Sequence, residues 1–145
     1  MVFELAPPSS GHMLFMGGIA SLLIVLGLGF AYVALSISSP KVTFANAELQ
    51  VPVPVYGRTL PLDLLVVEDA EVVDLDERKE LSLRLRTNGI GMPGYSVGWF
   101  RTAGGDKAFA AVTARNPVLY IPTREDYVVL ISLPRAEQLL ALLKG

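Results

Sequence analysis

The chain has no cysteine, one histidine and one tryptophan in 145 residues. Lack of cysteine excludes disulfides, thiolate metal sites, a cysteine nucleophile and a lipid-modified cysteine, but leaves the redox compartment open. With His12 as the single histidine, near the start of the chain, a serine triad has no imidazole base to draw on. Positive charge is scarce too. Twelve Lys and Arg face 14 Asp and Glu, a net charge of −2, so the basic excess of a nucleic-acid binder is missing and no nucleic acid is expected as a partner.

The most telling absence is local. No Asp, Glu, Lys or Arg stands between Glu4 and Lys41. Inside that window Met13 to Ile37 reads MLFMGGIASLLIVLGLGFAYVALSI, apolar except for glycines and two serines. As a helix, 13–37 would be roughly 37 Å long. A bilayer core of about 30 Å needs roughly 20 apolar residues, so this run can span with some tilt. The expected organisation is a short tail over 1–12, a transmembrane helix over 13–37 and one soluble domain over 40–145.

A cleaved secretory signal fits less well. The segment before the run holds Glu4 and Pro7-Pro8 but no Lys or Arg, and the apolar core exceeds the usual length of about 7–15 residues. Lys41 and, further off, Arg58 follow the helix while no base precedes it, which favours a cytoplasmic soluble domain under the positive-inside rule. Gly17 and Ser21, like Gly27 and Ala31, are small residues four apart. Such spacing lets helices approach closely, but small residues are common in membrane helices in any case. A short junction around Ser39-Pro40 separates the helix from the first expected strand, so the domain is expected to sit close to the headgroups.

The soluble part reads as strands. Pro40, Pro52, Pro54, Pro61, Pro93, Pro117, Pro122 and Pro134 leave little room for a long helix. Val42–Phe44 and Glu48–Val55 look extended around a turn at Asn46, with VPVPV suggesting an edge strand or a bend. Leu60–Val67 and Val72–Leu75 continue in the same way. Leu81, Leu83 and Leu85 alternate with polar residues, giving one apolar face at period two. Asn88 to Gly94 reads as a glycine-rich connection. Tyr95–Arg101 and Lys107–Thr113 flank a hairpin turn at Gly104-Gly105-Asp106. Val118–Ile121 and Tyr127–Ser132 follow. Pro134 then suits the first position of a helix whose apolar face is Ala136, Leu139, Leu140 and Leu143. Glu137 and Lys144 match its dipole. Seven or eight short antiparallel strands closed by one helix suggest a barrel or sandwich.

From Arg86 to Pro134 the chain reads RTNGIGMPGYSVGWFRTAGGDKAFAAVTARNPVLYIPTREDYVVLISLP. The G-x-G-x-P-G-Y segment at Gly89, Gly91, Pro93, Gly94 and Tyr95, then Gly98-Trp99-Phe100, Val118 to Thr123, and the Ser132–Pro134 helix start together resemble bacterial PH-like (pleckstrin-homology-type) domains. The resemblance implies an all-β fold with one C-terminal helix, a PH-like bent antiparallel barrel. Its motifs are structural and carry no ligand residues across. In eukaryotic relatives the lipid-binding bases lie around the first hairpin, and the corresponding stretch here, Ala45 to Glu48, lacks them.

Candidate chemistry is thin. Seven acids crowd Glu68 to Glu80, but without the ordered ligand spacing and central glycine of an EF-hand they read as a solvated face. NGIGMPG lacks the Lys-Ser/Thr of a P-loop, and its glycines suit a bend or bulge. Among Tyr95, Trp99, Phe100 and Tyr120, one aromatic set is expected in the core and another could serve a partner. Lys79, Arg84, Arg86, Arg101 and Arg115 form a patch for anionic lipid or a partner if they share a face. The sequence thus reads as a membrane-anchored, non-enzymatic binding or scaffold module. No catalytic residue, cofactor or metal is implied. The expected partners are the lipid bilayer and an unidentified protein or a second copy, with anionic-lipid sensing as the alternative.

Overall fold

The computed structural model describes residues 9–37, 41–53 and 55–145. Residues 1–8 of the expected tail, residues 38–40 with the Ser39-Pro40 junction, and Pro54 of the VPVPV stretch lie outside them. The chain divides into two units, 1–39 and 40–145.

The first unit is one helix, α1, at Ser10–Ile37, 28 residues or about 42 Å by helical rise. It begins three residues earlier than the apolar run suggests. His12 N–H donates to Ser9 O at 3.0 Å, and Ser9 Oγ lies 3.1 Å from His12 Nδ1, so the polar pair closes the first turn. The segment 10–35 has a mean hydropathy of 2.3 and no buried residue within the unit, which makes it a candidate membrane span. Ser21 Oγ donates to Gly17 O at 2.9 Å, so this hydroxyl is satisfied inside its own helix and needs no water.

The second unit opens with a three-stranded antiparallel sheet, β1 (Thr43–Ala45), β2 (Glu48–Val51) and β3 (Arg58–Pro61). Asn46 and Ala47, at φ of 54° and 59°, form the two-residue β1–β2 turn in the left-handed conformation that matches strand twist. Beyond Pro61 the chain leaves the extended path expected to Val67. Two 3₁₀ turns, Leu62–Leu64 and Val67–Asp69, carry it to the second sheet.

That sheet has six strands: β4 (Glu71–Val73), β5 (Leu83–Met92), β6 (Tyr95–Thr102), β7 (Lys107–Val112), β8 (Val118–Pro122) and β9 (Tyr127–Ser132). Their order is β4-β8-β9-β7-β6-β5. The architecture is PH-like, with mostly-β sheets and a C-terminal helix, and it departs from the expected barrel in two respects. The sheets are not closed into a barrel, because the short first sheet ends at β1 and β3 and long β5 remains the edge of the second. Nor is the pairing wholly antiparallel. β7 and β9 run parallel, Lys107 opposite Tyr127 and Ala111 opposite Ile131, with β8 and its loops providing the crossover that such pairing needs. Both strands are therefore covered on two faces, which explains why AFAAV and YVVLI are continuously apolar rather than alternating.

The core lies on both sides of this sheet. One face carries Val97, Phe109, Leu119, Ile121, Val129 and Ile131, all buried. The other carries Phe100, Ala108, Ala110, Val118 and Leu130, capped by Leu75 and Leu81 from the β4–β5 connection. Arg115 straps that connection down. Its Nε donates to Asp76 Oδ1 at 2.5 Å and its Nη2 to Leu75 O at 3.2 Å, while its carbonyl accepts from Leu75 N–H at 2.9 Å.

The helix α2 spans Ala136–Lys144 and buries Ala136 and Leu143, with Leu139 and Leu140 half-buried. It starts two residues after Pro134, which sits in the preceding turn with Arg135 as N-cap. Ser132 does not cap it. Its hydroxyl accepts from Thr113 and Ala114 N–H, both at 3.1 Å, and donates to Ala114 O at 2.6 Å, pinning the exit of β7.

Candidate binding surface

Strand β5 is built for exposure. Its pairing with β6 slips between Leu83 and Leu85 and again between Arg86 and Asn88. A bulge inserts a residue without its partner and turns the following side chains over. Leu81 is therefore buried and Leu83 half-buried, but Leu85 points out, 60 % exposed. The glycine-rich stretch expected as a connection is mostly strand, with the turn only at Pro93-Gly94. Gly89 and Gly98 face each other so closely that a Cβ on Gly98 would stand 2.6 Å from Gly89 Cα, and Gly98 has φ +117°. The two strands can approach this closely only because both positions are glycine. The outer edge of β5, ten residues long, pairs with no other strand among the described residues.

The five expected basic residues are spread around this ribbon and its neighbours. Arg86 stands opposite Phe100 and Arg101 opposite Leu85, so the two lie on opposite faces of the β5–β6 pair. Arg84 is exposed within the first slip. Lys79 is exposed in a 3₁₀ turn at Lys79–Leu81. Arg115 is held by Asp76, and Arg101 Nη1 donates to Gly105 O at 2.9 Å. Arg84 and Arg86 share a strand and Arg101 neighbours it; Lys79 and Arg115 belong to the loop side.

A second grouping gathers around Trp99. The indole packs tilted on Phe109, ring centroids 5.4 Å apart, and edge-on to Tyr127 at 5.1 Å. Arg58 from β3 and Lys107 from β7 lie 5.0 and 4.8 Å from its centroid. Among the described residues neither cation forms an ion pair. Arg101 is cross-strand neighbour to Lys107 on the same face. Lys107 could be read from the hairpin, which sets it opposite Arg101. Arg58 could not, since it reaches Trp99 through the packing of one sheet on the other, which leaves no local pattern.

Titration shifts follow packing rather than chemistry. Burial raises the phenols of Tyr95, Tyr120 and Tyr127 above the usual tyrosine range. Glu80 is lowered, first by its hydrogen bond to Arg78. Arg78 also holds Glu71 at 2.6 Å, so these acids of the acidic run clasp an arginine.

Comparison with curated proteins and with solved structures gives no match. A family model described as Bacterial PH domain matches residues 41–144, the whole sheet region and α2. PH-like domains are in general non-catalytic binding modules. The chain belongs to the bacterial PH domain family.

Proposed function

We propose that the chain is a membrane-anchored binding or scaffold module that works by protein contacts at the bilayer surface. In this reading α1 holds the protein in the membrane and a partner strand, from another protein or a second copy, adds along β5. The observation that carries it is the free edge of Leu83–Met92. Its outer side pairs with no strand among the described residues, with Leu85 60 % and Met92 51 % exposed beside it. Edges of this length are usually blunted or covered, because they template pairing with another chain. Arg84 and Arg86 guard its first half, and its second half, Asn88 to Met92, carries no charge.

The test is purification of the full chain from detergent extracts of its native membranes, followed by light scattering. The expected result is an assembly larger than the monomer, lost when Leu85 and Met92 are both changed to Lys. A monodisperse monomer with no copurifying protein overturns the proposal.

The lipid-sensing alternative draws support from Arg58, Arg101 and Lys107 around Trp99, each base near an anionic surface contributing about 1 kcal/mol. Vesicle sedimentation of 40–145 tests it. Binding that depends on anionic lipid and salt, and that falls in R58Q/K107Q, is the expected outcome. Binding indifferent to both sinks it.

A further inference from the structure

An open groove of about 700 Å³ lies between β1 and α2. Its lining is mainly apolar and includes Val42, Pro134, Leu139 and Leu142 together with Lys41 and Arg135. Leu142 is 65 % exposed, although it belongs to a helix whose other leucines are at least half covered. Glu137, the one acid on α2, is not part of the lining. Among the described residues neither Lys41 nor Arg135 forms an ion pair. The groove is thus an apolar strip with two free cations.

Chain connectivity limits what can cover it. Lys41 follows Ile37, the last residue of α1, by four peptide steps, and four steps span at most about 15 Å. If α1 crosses the bilayer, Lys41 on this groove's rim stays tethered within that distance of the helix end. Leucines together with cations fit a membrane surface: the apolar groups enter the boundary of the acyl chains and the cations meet headgroup phosphates. A second copy fits less well, since packing the same face on itself would bring four cations together with no carboxylate among the lining residues.

We propose that the surface of Lys41, Val42, Arg135, Leu139 and Leu142 docks on the anionic headgroup layer of the bilayer that α1 spans. This inference rests on the reading of α1 as a membrane span. Docking at this face fixes the domain to the membrane and leaves β5 free for a partner.

The absence of native cysteine makes single labels unambiguous. The full chain, as L23C, L142C or L85C carrying an environment-sensitive fluorophore, is placed in nanodiscs of neutral lipid or of lipid with anionic headgroups. Quenchers sit either on the acyl chains or on the headgroups. The label at position 23 is expected to be quenched from the acyl chains. The label at 142 should be quenched from the headgroups several-fold more than that at 85, more strongly in anionic discs, and less so after K41Q/R135Q. Quenching at 23 with position 142 no different from 85 overturns this inference and leaves the membrane reading standing. No acyl-chain quenching at 23 overturns both. Shielding of 142 that grows with the number of copies per disc assigns the groove to a second copy and likewise overturns it.

Discussion

Ala47 sits in a backbone conformation that an L-residue resists. It holds φ at 59°, where its Cβ meets the following carbonyl, at a cost of about 1–2 kcal/mol for an L-residue. Glycine removes that penalty but has more freedom to lose on folding, about 0.5–1 kcal/mol. A47G should therefore raise stability by about 0.5 kcal/mol, read as a higher urea midpoint with unchanged slope. A second residue-scale expectation concerns acid. Glu80 has its carboxyl lowered by Arg78, so the folded state holds the charged form better than the unfolded chain does. The stability this contributes is complete above the unfolded carboxylate value near 4.3 and is lost as pH falls through the lower folded value. The group is exposed and screened, so the contribution is small. E80Q should be less stable than the parent at neutral pH and should converge with it only once pH falls below the lowered folded value of Glu80. Curves that stay parallel across that range would show that the pair does not contribute.

At the scale of elements, the β5–β6 ribbon depends on two glycines. A methyl on Gly98 would meet Asn88 O and Gly89 Cα, both at 2.6 Å, in a conformation that side chains already resist. G98A should cost about 3 kcal/mol or more, and fast hydrogen exchange should spread along 83–102 before the β7–β9 core opens. Exchange that rises evenly over the domain would argue against a local ribbon. The strands β6 to β9 were legible because each is bounded by turn residues and filled with β-branched or aromatic side chains. Two features were not. The parallel β7–β9 pairing depends on where β8 lies in space, and continuous apolar runs such as AFAAV fit any doubly covered strand. The bulges that turn Leu85 outward break period-two alternation, so LSLRLRT reads as one buried face when it is half edge. The same limit hid part of the candidate surface. Arg84 and Arg86 stood out as charges, but the free edge they flank comes from sheet order, and Arg58 reaches Trp99 across 41 positions of sequence.

At the scale of the whole molecule, two units with separate internal packing make separable predictions. The apolar length of α1 was readable from composition alone, since nothing but 25 uncharged residues was needed. The side of the membrane was not, because Lys41 is the one base near the helix end. If α1 is the anchor, its removal should cost location and not fold. A base at the centre of a membrane helix costs about 2.5–3.5 kcal/mol on insertion scales, so L23R and L26R together should oppose insertion by about 5–7 kcal/mol. The double variant is expected to leave the alkaline-washed membrane fraction while 40–145 keeps the thermal transition of the parent domain. A protein that stays in the pellet after both substitutions would mean that attachment lies in the domain and its partner, and that α1 is not what holds it there.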